Sequence, residues 1–269
     1  MKTKLIITIA ILAIGISSCK KNEDNNPTTT KCKLSSFTGG DNDRYDITYN
    51  GSLITNLNQV SGSPLDKQTL FYNSDSLLTH RYTYDNTTNK LTDVDTFYYD
   101  ASKKLTTHFW YSVNNSGVRS FENKITYNYN SSNQIENYRD SFFNVFSTVT
   151  VYSYDYINNR ISKETSKEYN DGIYLGKQEA TYSYTTTTNN IKTVLKQPTL
   201  VLNSHPIFIA EFANTDLLVS QMEEKYYDET NTLIDTYTRI FSYTFDNGKL
   251  ASVGDNDSGI FIRFGYKCE

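Results

Sequence analysis

"YTYDNTTNKLTDVDTFYYDASKKLTTHFWY", from Tyr82 to Tyr111, states one pattern twice: an aromatic, a spacer, Tyr-Asp, a polar stretch, then Lys-Leu-Thr. Laying the chain against itself shows how far this extends. Tyr49-Asn50 leads to Leu53, Tyr72-Asn73 to Leu77, Tyr84-Asp85 to Leu91, and Tyr99-Asp100 to Leu105. Tyr129-Asn130 leads to Ile135, Tyr154-Asp155 to Ile161, Tyr184-Thr185 to Ile191, Tyr227-Asp228 to Leu233, and Phe245-Asp246 to Leu250.

Two positions before each Leu or Ile stand Gly51, Asp75, Asn89, Lys103, Asn133, Asn159, Asn189, Asn231 and Gly248. All but Lys103 belong to the residue types that accept positive φ at little steric cost. The unit therefore reads as strand, tight turn, strand. Asp or Asn opens the turn by bonding its own backbone, and Gly or Asn closes it in the left-handed region, with a bulge at the hairpin end. Between turns, Tyr, Thr, Val and Phe alternate as half-buried antiparallel strands do. The expected fold is all-β: a long antiparallel meander of about nine hairpin units over residues 32–269, forming one large curled sheet or open barrel. Residues 196–216 hold Pro198 and Pro206 beside Ile207, Phe208, Ile209 and Phe212, and read as a loop or short-helix plug on that sheet.

The N-terminus reads as an address. Lys2 and Lys4 precede an apolar run from Leu5 to Ile16, too short to span a bilayer but right for a signal peptide over residues 1–18. The run ends in Ser17-Ser18-Cys19, which resembles the lipobox of bacterial lipoproteins, so Cys19 is the expected lipidation site and the first mature residue. Residues 19–31 have no apolar side chain to offset the entropy of ordering and read as a tether. Lys20 rather than Asp follows Cys19, and Glu23-Asp24 resembles the surface-export signal of Bacteroidetes lipoproteins. The expected place is the outer membrane, lipid-anchored, on its periplasmic face or at the cell surface.

After removal of residues 1–18, 24 basic residues face 30 acidic ones, a balance of −6. There is no basic stripe to neutralise phosphates, so nucleic acid is not an expected partner. Cys32 and Cys268 stand at the two ends of the folded part. In an oxidising compartment such a pair favours a disulfide tying the first strand to the last, with two separately buried thiols as the alternative. The Tyr-Asp-x-x-Gly-x-Leu units resemble the YD (RHS-type) repeats of bacterial surface proteins and toxins. The lipobox, the hairpins, the interrupting apolar segment and the terminal Gly265-Tyr266-Lys267-Cys268 together resemble Bacteroidetes lipoproteins of the DUF4595 type. That resemblance implies a structural repeat, not a chemistry.

No catalytic constellation stands out, and neither a cofactor nor a metal is expected. His80, His108 and His205 lack partners at metal spacing and read as exposed strand residues. Asp255-Asn256-Asp257-Ser258-Gly259 begins like a calcium loop but lacks the glycine at position six and reads as a turn. A hydrolytic carboxylate pair could come only from Glu122, Glu136, Glu164, Glu168, Glu179, Glu211, Glu223 or Glu224, which lie outside the turns. The 23 Tyr and 14 Phe suit cross-strand packing, while Trp110 and Tyr111 are the candidates for stacking on sugar rings. The expectation is a non-enzymatic binding or structural module of the envelope, with a glycan or an envelope protein as partner. A glycan-binding lipoprotein and a glycan hydrolase are the alternatives.

Overall fold

The computed structural model describes residues 32–39, 43–62, 65–143, 147–188, 216–257 and 259–268. The signal segment, Cys19, the tether, His205, the Tyr184 turn at Asn189 and nearly all of the expected plug lie outside them. Among the described residues sixteen strands follow one another: β1 (Cys32–Thr38), β2 (Arg44–Asn50), β3 (Leu53–Ser61), β4 (Asp66–Tyr72), β5 (Leu78–Asp85), β6 (Leu91–Tyr99), β7 (Leu105–Val113) and β8 (Arg119–Tyr129). The second half comprises β9 (Ile135–Phe142), β10 (Thr148–Ile157), β11 (Arg160–Asn170), β12 (Ile173–Thr188), β13 (Leu217–Tyr227), β14 (Leu233–Asp246), β15 (Lys249–Asp255) and β16 (Gly259–Cys268). Each pairs antiparallel with its neighbours in sequence, and β1 pairs with β16, so the sheet closes into a barrel. Of the expected curled sheet or open barrel, the barrel is what forms, and its openness is corrected: closure leaves no edge strand to expose unpaired N–H and C=O groups.

The turns explain the repeat. Asn73, Asp100, Asn114, Asn130 and Asp228 each accept on Oδ1 from the backbone N–H groups two and four residues on, at 2.8–3.0 Å. The Thr230 hydroxyl, and then the Thr232 N–H, hold the Asp228 carboxyl below its usual range. Positive φ occurs where expected at Gly51, Asn89, Lys103, Asn133, Asn159, Asn231 and Gly248. At the Tyr72 copy it falls on Ser76, not Asp75, because the strand begins at Leu78 instead of Leu77. Asn158-Asn159, Asp171-Gly172 and Asn247-Gly248 have positive φ at both central residues of two-residue hairpins, the arrangement whose twist matches the flanking strands.

Lys103 holds φ 64° with a side chain that gains little there beyond a half-exposed ion pair with Asp75 at 2.9 Å. The left-handed region costs an ordinary L-residue about 1–2 kcal/mol, and such a surface pair returns well under that. Lys103→Asn is therefore expected to raise the unfolding free energy by about 0.5–1 kcal/mol, read as a higher urea midpoint at unchanged slope.

The Lys-Leu-Thr endings also have a structural cause. The apolar residue that pairs with the Tyr, in turn Ile54, Leu78, Leu91, Leu105 and Ile161, is followed by an extra residue in the ladder, producing the register shifts at Thr48/Tyr49, Phe71/Tyr72, Thr83/Tyr84, Tyr98/Tyr99 and Asp155/Tyr156. The hydroxyls of Thr55, Thr79, Thr92, Thr106 and Ser162 donate across the hairpin to the carbonyls of Thr48, Phe71, Thr83, Tyr98 and Asp155, at 3.1–3.3 Å. A carbonyl that the bulge leaves without its ladder partner is satisfied in this way.

One rim is bound by a ring of tyrosines. Tyr49, Tyr72, Tyr99, Tyr129, Tyr156, Tyr184, Tyr243 and Tyr266 stand on the eight even-numbered strands, and each hydroxyl donates to a carbonyl of the preceding odd-numbered strand. The acceptors are Leu34, Ile54, Leu78, Leu105, Ile135, Ile161, Val219 and Leu250, at 2.5–2.9 Å. Burial pushes the Tyr49, Tyr156 and Tyr266 phenols up to about 12, so they remain donors well above neutral pH. The ring refines the repeat: Tyr156 replaces Tyr154, and the Tyr84 and Tyr227 copies form turns at the opposite rim.

Inside the barrel, Phe37, Ile54, Leu57, Leu70, Leu78, Phe97 and Leu105 pack as one cluster and Leu218, Val219, Met222, Phe241, Leu250 and Val253 as another. Phe264 of β16 packs against both. Each such side chain contributes about 1.5–3 kcal/mol on burial, so the apolar layer beneath the tyrosine ring is a major source of stability.

Candidate functional site

Strands β4 to β9 present two unlike faces. Along β6, Asp93 and Asp95 share the inward face with Phe97, so the lining changes from apolar to charged about halfway along the strand. In register, Arg81 of β5 opposes Asp95, and Trp110 of β7 lies on the other side of Asp95. Arg81 Nε donates to Asp95 Oδ2 at 2.9 Å, and His108 Nε2 donates to Asp95 Oδ1 at 2.6 Å. An ionised carboxylate can only accept, which places a hydrogen on His108 Nε2. Phe97 stacks on the His108 ring at 4.6 Å.

Asp95 is 1% exposed and Arg81 3%. Burial alone would raise the Asp95 carboxyl; the Arg81 guanidinium and the His108 hydrogen bond outweigh it and hold the group below the usual carboxylate range. Next to this trio, Trp110 Nε1 donates to Asp93 Oδ1 at 2.9 Å, and Asn123 Nδ2 donates to Asp140 Oδ1. Burial raises the Asp140 carboxyl, with the Asn123 hydrogen bond pulling the other way.

Trp110, expected as a surface anchor, thus lies half-buried on the inward face, and His108, expected to be exposed, is half-buried there and hydrogen-bonded to Asp95. The sequence offered no warning, because the charged inner layer has the composition of a solvent face. Tyr111 points the other way. On the outer face Phe71 meets Tyr82 at 4.9 Å, Tyr98 meets Phe109 at 5.6 Å, Phe121 meets Phe109 at 5.8 Å and Tyr111 at 5.5 Å, and Phe143 meets Phe121 at 5.0 Å. Centroids 4.5–7 Å apart are the range of favourable aromatic pairing. Phe71, Tyr98, Phe121 and Phe143 remain 38–51% exposed. The register carries Phe71, His80, Thr96, Phe109, Lys124 and Ser141 side by side across β4–β9, so ring faces alternate with hydrogen-bonding groups.

The outer face of β11–β13 carries ion pairs. Lys163 and Lys177 pair with Glu179 at 3.1 and 2.9 Å, and Lys225 with Glu223 at 2.7 Å, on the face opposite Ala180 and Met222 of the core. A barrel that spans a bilayer turns an apolar band about 25 Å tall toward lipid. These mid-strand charges suit water instead.

Of the acids outside the turns, Glu164 and Glu224 come to the inner face on either side of Ala180. Glu224 accepts from Gln178 Nε2 at 2.6 Å and stands 3.3 Å from Arg239 Nε. Among the described residues no group of three His, Cys, Asp or Glu could hold a metal ion. Asp257 N donates to Asp255 Oδ1 at 3.0 Å, a turn-type contact in the segment with calcium-loop spacing. At the seam, Cys32 and Cys268 are registered opposite one another and joined, Sγ–Sγ 1.97 Å.

No protein-family model matches this sequence, and comparison with curated proteins finds no relative. Among solved structures, a porin-like protein from Bacteroides uniformis is similar over 90% of this chain and 99% of its own, at 18% identity and TM-score 0.46. A porin-like protein from Bacteroides vulgatus is similar over 87% of this chain and 98% of its own, at 10% identity and TM-score 0.43. A chain of the TcdB2-TccC3-Cdc42 structure is similar over 77% of this chain and 10% of that one, at 11% identity and TM-score 0.30.

Proposed function

We propose that the protein is a non-enzymatic, lipid-tethered envelope module that binds carbohydrate on the outer aromatic face of β4–β9. The observation that carries this reading is the run of exposed rings from Phe71 through Tyr98 and Phe121 to Phe143, interleaved with His80, Thr96 and Lys124. Sugar rings offer apolar C–H faces edged by hydroxyls, which such an alternation complements. The tether belongs to the reading through the lipobox at Cys19, and the mid-strand ion pairs on the outer face of β11–β13 suit a barrel standing clear of the bilayer. Against catalysis stands the engagement of Glu224 by Gln178 and Arg239, which fixes it as an ion-pair member and leaves no free acid–base pair with Glu164.

The test is retention on insoluble polysaccharides of differing linkage. Wild type is expected to be held by at least one, and Tyr98→Ala/Phe121→Ala to lose at least about tenfold in affinity, as two stacked rings at roughly 1 kcal/mol each imply. Equal retention of both forms, or none of either, would end the carbohydrate reading. In parallel, Cys19→Ala should move the protein from membrane to soluble fractions, and membrane retention of that variant would remove the tether.

A further inference from the structure

We propose that the inner face of β6–β9 is a binding site for an organic ammonium ion, taken between the indole of Trp110 and the carboxylates of Asp93 and Asp140, with Asn123 Oδ1 as a further acceptor. The outer aromatic face plays no part in it.

The chemistry follows from what each group already does. Asn123 is 4% exposed and lies in register between Trp110 and Phe142; its Nδ2 is committed to Asp140, and its Oδ1 is buried with no hydrogen-bond partner. Gln68 Oε1 and Asp66 Oδ1, farther round the same inner layer, are likewise buried acceptors without a donor. A buried acceptor left unmade costs about 1–3 kcal/mol, so the layer favours a guest that brings donors. Asp93, Asp95 and Asp140 set three carboxylates against the Arg81 guanidinium and the His108 imidazole, both of which Asp95 already engages. That balance disfavours anions. With Arg81 committed, a neutral polyol would find acceptors for its hydroxyl hydrogens but few donors for its oxygens. The described side chains form no group tight enough for a metal ion.

An alkylammonium fits on each count: several N–H donors, a positive charge, and an attraction to an indole face of roughly 0.5–2 kcal/mol. Trp110 and Asp93 are half-buried while Asp95 and Asn123 beneath them are buried, so the approach is from the rim opposite the tyrosine ring.

Trp110 is the single tryptophan of the chain, which makes its emission a direct reporter. The full chain is titrated with putrescine and, separately, with 1,4-butanediol, its neutral isostere. The proposal expects a saturable change with the diamine below about 10 mM, an affinity in the weak-ligand range, and none with the diol. Asp140→Asn, checked for native circular dichroism, should bind putrescine at least about tenfold more weakly. No saturation with putrescine, an equal response to the diol, or undiminished binding by Asp140→Asn would each overturn it, and the wild-type comparison alone decides should the variant not fold. Polysaccharide retention can fail while this titration succeeds, and the reverse, so the two readings are separable.

Discussion

Cys268→Ser is expected to lower the unfolding free energy by about 4 kcal/mol, the largest effect of any single substitution at the barrel seam. Fifteen of the sixteen strand junctions join neighbours in the chain; only β1 and β16 meet across its whole length. The cross-link spans a sequence separation of 236, and in the chain-entropy model closing a loop of that size restricts the unfolded chain by about 5 kcal/mol, of which measured removals recover 2–5. Losing it also frees the seam to open, and an open seam exposes two strand edges at once. Urea unfolding of wild type with and without reductant, beside Cys268→Ser, measures this: reduced wild type and the variant should coincide, well below the oxidised protein. A shift worth less than about 1 kcal/mol would mean that the β1–β16 ladder holds the seam without the bond.

Asp95→Asn is expected to cost about 3–5 kcal/mol, because it removes the buried carboxylate that accepts from both Arg81 and His108. The double variant Arg81→Met/Asp95→Leu should regain most of that loss, since replacing a buried ion pair by apolar groups is commonly neutral or better. The pH dependence has a definite sign. The Asp95 carboxyl is lowered in the folded state, so its contribution is present above the ordinary Asp value near 4 and lost as pH falls through the folded value. Asp140 and Asp66 are raised, so what they contribute is present below the ordinary value and declines as pH rises. The gap between wild type and Asp95→Asn should therefore narrow below about pH 4. A gap that is constant across the acid range would show that Asp95 acts through packing alone.

The turns were legible because their cause is local. Positive φ at Asn89, Asn133 and Asn231 follows from residue type and spacing, and even Lys103 obeys the position against its own preference. The turn at Asn114 falls outside the repeat pattern because Val113 stands where the other copies have Tyr or Phe, although Asn114-Asn115-Ser116-Gly117 carries the same chemistry. Closure was legible only through the Cys32–Cys268 pair; the β1–β16 ladder itself depends on pairing between residues more than two hundred positions apart. The faces of β6 and β7 were not legible. Asp93 and Asp95 point inward with Phe97, and aromatic rings occupy both surfaces, so polarity alternates in the wrong sense for half of each strand. Trp110 and Tyr111, the candidates for stacking on sugar, stand on opposite sides of the sheet as consecutive strand residues do, and the exposed aromatic row is built from Phe71, Tyr98, Phe121 and Phe143.

The tyrosine ring makes two strands, not one, the smallest increment by which this barrel can change girth. Each phenol fastens an up-running strand to the down-running strand before it, so duplication or loss of such a pair keeps every donor matched to an acceptor and preserves the antiparallel join at the seam. Adding a single strand would bring β1 and β16 together in parallel and leave one hydroxyl or one carbonyl stranded. Growth in this lineage of sequences should therefore proceed in steps of one tyrosine, as a staircase and not a ramp.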